Sequence, residues 1–461
     1  GGGSVNGGAL TFDVVAGQSY TVGLSSSDGL GHYNVDVDVE TQITDWGVVE
    51  RTHYQGVDVD GEAWYSITAT RSGWVTVESF FVAGQEDVTV ELYDDAQQLL
   101  AGCTQSAGHA RSDALASEGQ TLLVRVTGSA SAAQFSLWNI VGVEGSTATV
   151  FGDESDDVFS FTAGANHDIS VNGLDYTLDG TTITQIDFAA GGGDDQITMT
   201  GTAGDERAYL YETSARLVGD NFTATADDIE TTLMHGGGGD DSADLYDAIS
   251  DDTLIAAPGA VSFSGATFDH TVSDFARTRV YAEAGGHDVA HFTDSTADDF
   301  FYARPTYAYM QGGGFRNFGR GFEEITATAT TGANDRARLF DDTSDDTLIA
   351  TPTSVQLFGD AFDYTATGFD RVRTYANAGG NDTALYFGGA GDDDFFVQSS
   401  SHFMRGDDYY HNGRGFEDVQ VDFSQTGEDR AVIKNTRSTE TLAGTGSNAT
   451  LSGARQVTFT D

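Results

Sequence analysis

Lysine is nearly absent from this 461-residue chain: Lys434 stands alone, and every other cation is an arginine. Against 21 Lys+Arg stand 72 Asp+Glu, for a formal net charge of −51. A chain so poor in cations is not built to hold nucleic acid, where phosphate contacts need cations to release counterions. Nor is it built to lie on an anionic membrane surface. Cysteine is equally scarce. Cys103 is the single one, which excludes a disulfide framework. Beside Leu99-Leu100-Ala101 it reads as a buried small hydrophobe rather than a reactive thiol. Three prolines against 58 glycines exclude both a collagen-like chain and a Pro-rich linker. No apolar run approaches the ~18 residues of a membrane-spanning helix. What is present is a 39 % hydrophobic, 11 % aromatic composition, enough for packed cores. The first residues, Gly1-Gly2-Gly3-Ser4, read as a cut from something longer.

All four tryptophans, Trp46, Trp64, Trp74 and Trp138, precede residue 143, and Gly-Asp turns dominate after it. A boundary is expected there. In the first region, Trp64–Thr70, Trp74–Glu78, Val88–Tyr93 and Thr121–Val126 alternate apolar and polar residues, as strands of an antiparallel β-sandwich do. Gly17, Val22, Tyr33 and Val35 recur 102 residues later as Gly119, Val124, Phe135 and Leu137. Residues 1–42 therefore read as the second half of a sandwich, completed upstream or by a neighbouring chain, and 43–143 as a whole one. The run Gly61-Glu62-Ala63-Trp64-Tyr65-Ser66-Ile67-Thr68-Ala69, with Gly119-Gln120-Thr121-Leu122-Leu123-Val124-Arg125-Val126, resembles bacterial pre-peptidase C-terminal domains. That resemblance implies a non-catalytic secreted sandwich.

Residues 144–461 carry a repeat of 47. Pro258, Pro305 and Pro352 keep that spacing, as do Phe275, Phe322, Phe369 and Phe416, and Ala243, Ala290, Ala337, Ala384 and Ala431. A glycine column, Gly173, Gly219, Gly265, Gly312, Gly359, Gly406 and Gly453, steps by 46 or 47. About seven copies of strand-like pieces with no helical period predict an all-β repeat architecture. A parallel β-solenoid, at about two coils per copy, is favoured by the short strands and Gly-Asp turns. A seven-bladed propeller is the alternative. Gly388-Gly389-Ala390-Gly391-Asp392-Asp393-Asp394-Phe395 resembles the Gly-Asp nonapeptide of RTX proteins, and Gly236-Gly237-Gly238-Gly239-Asp240-Asp241-Ser242-Ala243 does so less closely. The run Asp335-Arg336-Ala337-Arg338-Leu339-Phe340-Asp341 resembles the long repeats of very large secreted proteins of planctomycete type. These resemblances imply a surface or extracellular setting and no chemistry.

Two acidic columns follow the repeat. One is Asp195, Asp241, Asp288, Asp335, Asp382 and Asp429; the other is Asp205, Asp252, Asp299, Asp346 and Asp393. Stacked carboxylates repel, so something must offset them. Calcium is one expectation, since hard cations take carboxylate and turn-carbonyl oxygens. Its candidate ligands are Gly236, Gly239 and Asp241, Gly388, Gly391 and Asp393, with Asp195, Asp252, Asp299 and Asp346. Backbone amides capping each turn are the other expectation, and a surface adapted to salt is a third.

Other motifs carry little. Arg405-Gly406-Asp407 falls on the glycine column, and Asn221, Asn381 and Asn448 begin glycosylation sequons. His287 and His291 sit at turn and strand positions of one copy. Tyr302, Arg304, Tyr307, Tyr309, Arg316 and Arg320 cluster near Asp298 and Asp299, a set suited either to a sugar or to the repeat's own aromatic packing. The expectation is a non-enzymatic structural protein of an extracellular fibre, surface layer, adhesin or matrix. Its expected partners are further copies or neighbouring domains. A calcium-dependent carbohydrate-binding or polysaccharide-processing β-helix protein is the alternative.

Overall fold

The computed structural model describes residues 20–21, 23, 42–332, 334–398, 400–423, 425–434, 440–445, 448–453 and 455–460. The chain forms two compact units, Gly1–Ile43 and Thr44–Asp461. The half-sandwich expected at 1–42 lies outside the described residues apart from a few positions. Every element of the second unit is a strand.

The first part is a sandwich organised by Thr121–Glu144, a strand of 24 residues. Its early half, Leu123–Ser129, pairs with Asp87–Tyr93; its later half, Gln134–Gly142, pairs with Gly73–Phe80. Arg51–Ala69 runs antiparallel along both halves, with register shifts between Tyr54 and Val59. Such shifts bend strands and let them serve two layers. Between the layers lie Val75, Val77, Val90, Leu92, Val124, Phe135 and Leu137, all buried. Cys103 is half-buried against this core rather than within it.

The end of the long strand turns at Gly145 and pairs antiparallel with Thr147–Phe151, which in turn pairs in parallel with Gln185–Ala189. From there the chain is a β-solenoid. Its strands are about five residues long, because each repeat places only two or three inward side chains between turns. In Arg336–Phe340, for example, Ala337 and Leu339 point into the core, while Arg336 and Arg338 are exposed. One copy shows the scheme. Ser242–Tyr246 lies in the first sheet. Thr253–Ala257, Ala260–Ser264 and Asp269–Ser273 form an antiparallel meander in the second. Arg277–Tyr281 then returns to lie parallel to Ser242–Tyr246. The next copy exchanges the sheets. Val289–Thr293 is in the second, the meander Phe300–Arg304, Tyr307–Gly312 and Phe315–Arg320 is in the first, and Glu324–Thr328 is in the second again.

Successive copies are therefore flipped, and the structural period is two copies. Repeats join one another by parallel pairing, as the solenoid requires and propeller blades do not. Coils made only of parallel strands are not what forms, however: three of the five strands in each copy are joined by hairpins. The prolines sit at the first hairpin corner, as in Pro258-Gly259, where Gly259 has φ +81°. Proline sets φ for the first corner residue and glycine accepts the left-handed second one. The second sheet alone has 18 strands, so at about 4.8 Å per strand it runs roughly 80 Å. One continuous apolar core fills the space between the sheets, and the Phe275, Phe322, Phe369 and Phe416 column lies inside it. The sandwich closes one end of that core, where Trp74 and Trp138 pack on it and the Thr76 hydroxyl meets Tyr176 Oη at 3.1 Å.

Candidate functional site

The acidic columns are the first candidate, and their geometry is set by the turns. Asp252, Asp299, Asp346 and Asp393 each precede a strand and are buried at 1–3 % exposure. Each folds one oxygen back on the N–H four residues earlier. Asp299 Oδ2 accepts Ser295 N–H at 2.7 Å, and Asp393 Oδ2 accepts Gly389 N–H at 2.6 Å. The other column supplies an acceptor one coil away. Asp288 Oδ1 accepts Asp252 N–H, Asp335 Oδ1 accepts Asp299 N–H, and Asp382 Oδ1 accepts Asp346 N–H, at 2.7–2.9 Å. The N–H of Asp288, Asp335 and Asp382 then donates to a third acid, Glu323, Asp370 or Glu417, each at 2.8–2.9 Å. Asp157, Asp195 and Glu230 repeat the same relay. The backbone amides thus take up these carboxylates both within a turn, four residues back, and across coils, 35 to 38 residues apart.

Burial dominates their titration. It pushes Asp288, Asp346 and Asp382 up to about 6, with neighbouring carboxylates adding to the effect. Asp195, Asp241, Asp252 and Asp335 are raised for the same leading reason.

The ladder also explains the glycine column. A Cβ on Gly265, Gly312 or Gly359 would come within 1.6–2.1 Å of Oδ1 of Asp252, Asp299 or Asp346. The aromatic ring three residues on crowds the same space: Phe268 beside Gly265, Phe362 beside Gly359. The RTX-like glycines have kindred reasons. A Cβ on Gly236 would lie 2.5 Å from Asp241 Oδ2, and on Gly388 2.9 Å from Asp393 Oδ2. Gly239, at φ +108°, backs directly onto the Gly204 carbonyl, whereas Gly391 faces open space.

The buried acid lies 13 residues before Gly265, Gly312, Gly359 and Gly406, and the same count from Gly219 corrects one position. Asp205 does not occupy the buried site of its copy; Glu206 does, and its N–H donates to Asp241 Oδ1 at 2.6 Å. Asp205 instead lies in an outer row, accepting Asp240 N–H as Asp251 accepts His287 N–H. The step of 46 between Gly219 and Gly265 was the available signal.

Among the described residues, no group of three or more His, Cys, Asp or Glu side chains is placed to hold a metal ion. Of the ten candidate calcium ligands, three fall in the Gly236–Asp241 loop, three in the Gly388–Asp393 loop and Asp195, Asp252, Asp299 and Asp346 stand singly, and each of the six carboxylates accepts a backbone N–H. His287 and His291 separate, the latter bonding Thr326 through Nδ1 at 2.5 Å.

The Tyr302–Arg320 cluster is brought together, as part of a longer feature. Rings stack along the outside of the first sheet from Tyr211 through Tyr246 to Tyr281, at 4.7 and 5.2 Å, with their planes nearly parallel. Tyr302, Phe340 and Tyr375 continue the row at 4.9 and 4.7 Å. Arginines lie over neighbouring rings, Arg316 over Tyr309 and Arg304 over Tyr307. Because the rings face one another, they present edges to solvent. A recess of about 520 Å³ is lined by Phe423, Asp429, Ala431, Ile433 and Phe459 among others, near the last described strands.

No family model and no curated protein matches the chain. Among solved structures, a match is the pre-peptidase C-terminal domain of a collagenase from Bacillus anthracis. It is 11 % identical and covers 22 % of this chain and 98 % of that one, with a TM-score of 0.18. A score so low carries no argument, and the sandwich stands on its own strand pairings. No helix among the described residues is long and apolar enough to cross a membrane.

Proposed function

We propose that the chain is a structural element of an extracellular or cell-surface assembly, a stiff acidic spacer whose solenoid is closed at one end by a sandwich. The supporting observation is the uninterrupted core. Phe, Ala and Leu columns run through copy after copy, and the acids between them are spent on backbone amides rather than gathered around a pocket. Resemblance to RTX-like and planctomycete-type repeats fits the same setting. Small-angle scattering of the full chain tests it: the spacer predicts an elongated particle with a constant cross-section, and a compact sphere would refute it.

The second reading, a carbohydrate-binding or polysaccharide-processing protein with calcium, has the aromatic and arginine row in its favour. Rings stacked on each other offer sugars less face, which weakens it. Depolymerisation of an acidic polysaccharide by the chain would establish it over the spacer.

A further inference from the structure

The two solenoid faces differ in charge. Every arginine on a described solenoid strand lies in the first sheet, and the strands of the 18-stranded sheet carry no Lys or Arg. The sheets share one core, so these are opposite outer surfaces. Within the arginine face, strands Arg336–Phe340 and Arg371–Tyr375 pair in parallel with Arg336 opposite Arg371 and Arg338 opposite Arg373. Like charges directly opposite one another destabilise a sheet. At two other places on this face a carboxylate intervenes, Asp244 between Arg207 and Arg279 and Asp394 between Arg405 and Arg430, while Arg277, opposite Arg316, reaches Asp240. The block of four has no such partner among the described residues. Arg338 and Arg371 merely lie over Phe300 and Tyr410, at 5.4 and 5.7 Å.

The opposite face carries the converse. Glu324 stands opposite Asp363 on adjacent parallel strands. Among the described residues neither forms an ion pair, and the Asp363 carboxylate receives the Gln356 amide at 2.9 Å. Each like-charged pair spans one strand step, about 4.8 Å, so the two spacings match.

We propose that the Arg336, Arg338, Arg371 and Arg373 block of one copy docks on the Glu324 and Asp363 strip of a second copy. This rests on the assembly reading above and names its interface. Guanidinium forks suit carboxylates bidentately. A polyanionic glycan would satisfy the arginines but leave Glu324 and Asp363 uncompensated; a second copy relieves both. Ile255 and Phe387, exposed on strands of the acidic face, add apolar contact. Because the contact joins different surfaces on opposite faces, it is heterologous and passes from copy to copy side by side.

Sedimentation velocity of the full chain tests this at about 0.1 M and 1 M NaCl, where the screening length falls from about 10 to 3 Å. Concentration-dependent association is expected at low salt and its loss at high salt. Arg336→Glu with Arg371→Glu, and separately Glu324→Arg with Asp363→Arg, should each weaken association at least about tenfold, as removal of close charge pairs does. Mixing the two variants should restore it, since each supplies the face the other reverses. All four positions are on strand surfaces, and circular dichroism checks that the variants fold. Association unchanged by the swaps, or not restored on mixing, overturns this interface while leaving the spacer intact. A wild-type chain that stays monomeric overturns the interface too, and the scattering profile then judges the spacer independently. Retention of a monomeric chain on a polyuronate resin, lost in Arg336→Glu with Arg371→Glu, would overturn it in favour of a glycan.

Discussion

In the sandwich, one strand of 24 residues meets four partners, whereas no described solenoid strand exceeds six residues. The sandwich holds together through pairings distant in sequence. The solenoid repeats a short set of contacts between neighbouring coils, so its stability is close to a sum over repeats and interfaces. The inner polar groups differ as well. In the sandwich Glu78 is met by side chains, His109 at 3.0 Å and Trp138 at 3.0 Å. In the solenoid, buried Asp is met by backbone N–H groups, those of its own turn in one column and those of the adjoining coil in the other. The lesson is that an acid can be part of a repetitive core when each coil offers the next a free N–H.

Four measurements would break or sharpen this contrast. The largest effect should come from Gly312→Ala, whose Cβ would fall 1.6 Å from Asp299 Oδ1 and push that carboxylate off its amides. A loss of about 3 kcal/mol is expected in urea unfolding. The sandwich glycine Gly119, at φ +74° with open space around it, should lose only about 1 kcal/mol as Ala. Equal losses would erase the distinction.

Next comes Asp382→Asn. Its folded pKa of about 6 lies above the ordinary carboxylate value, so its stabilisation is fully present below about pH 4 and is lost as pH rises through 6. The variant should therefore gain on the wild type by about 1–2 kcal/mol between pH 5 and pH 8. Comparing variant with wild type cancels His402 and His411, which burial pushes down to about 3 and 4 and which act in the opposite sense. A flat difference across that range would show the ladder acid to be solvated.

Tyr176→Phe removes the bond to Thr76 at the junction and should cost about 1 kcal/mol. If sandwich and solenoid melt as separate transitions, the gap between them should widen. The smallest effect should be that of a chelator, which is expected to leave the melting temperature within about 2 °C, the change that under 1 kcal/mol would bring. A fall of several degrees would place calcium on the columns after all.

Much of the solenoid was legible from spacing. The alanine, phenylalanine and glycine columns located strands and turns, and the second acidic column fell on buried positions in Asp252, Asp299, Asp346 and Asp393. Their carboxylates cap their own turns, four residues back, as the turn reading expected; the relay to the next coil was not legible, because a carboxylate bonding an amide 36 residues away leaves no local pattern. Glu206 escaped for a simpler reason: a single-residue deletion shifted its copy, and Asp205 filled the expected column. The flip of alternate copies was visible only as an oddity. The aromatic and arginine cluster at Tyr302–Arg320 looked like a deviant repeat, but its neighbours place the corresponding meander on the other sheet. Tyr209, Arg207 and Arg216 two copies earlier, and Phe396, Phe403 and Arg405 two copies later, belong to the same face.

That flip imposes a parity rule on how such a chain can grow or shrink. Gaining or losing a single 47-residue unit would turn everything downstream over, and arginine rows would continue onto threonine rows. Only changes in pairs leave the two surfaces continuous. The unit of sequence duplication and the unit of usable surface are therefore different, and the longer of them, about 94 residues, is the one that selection on a charged face would count.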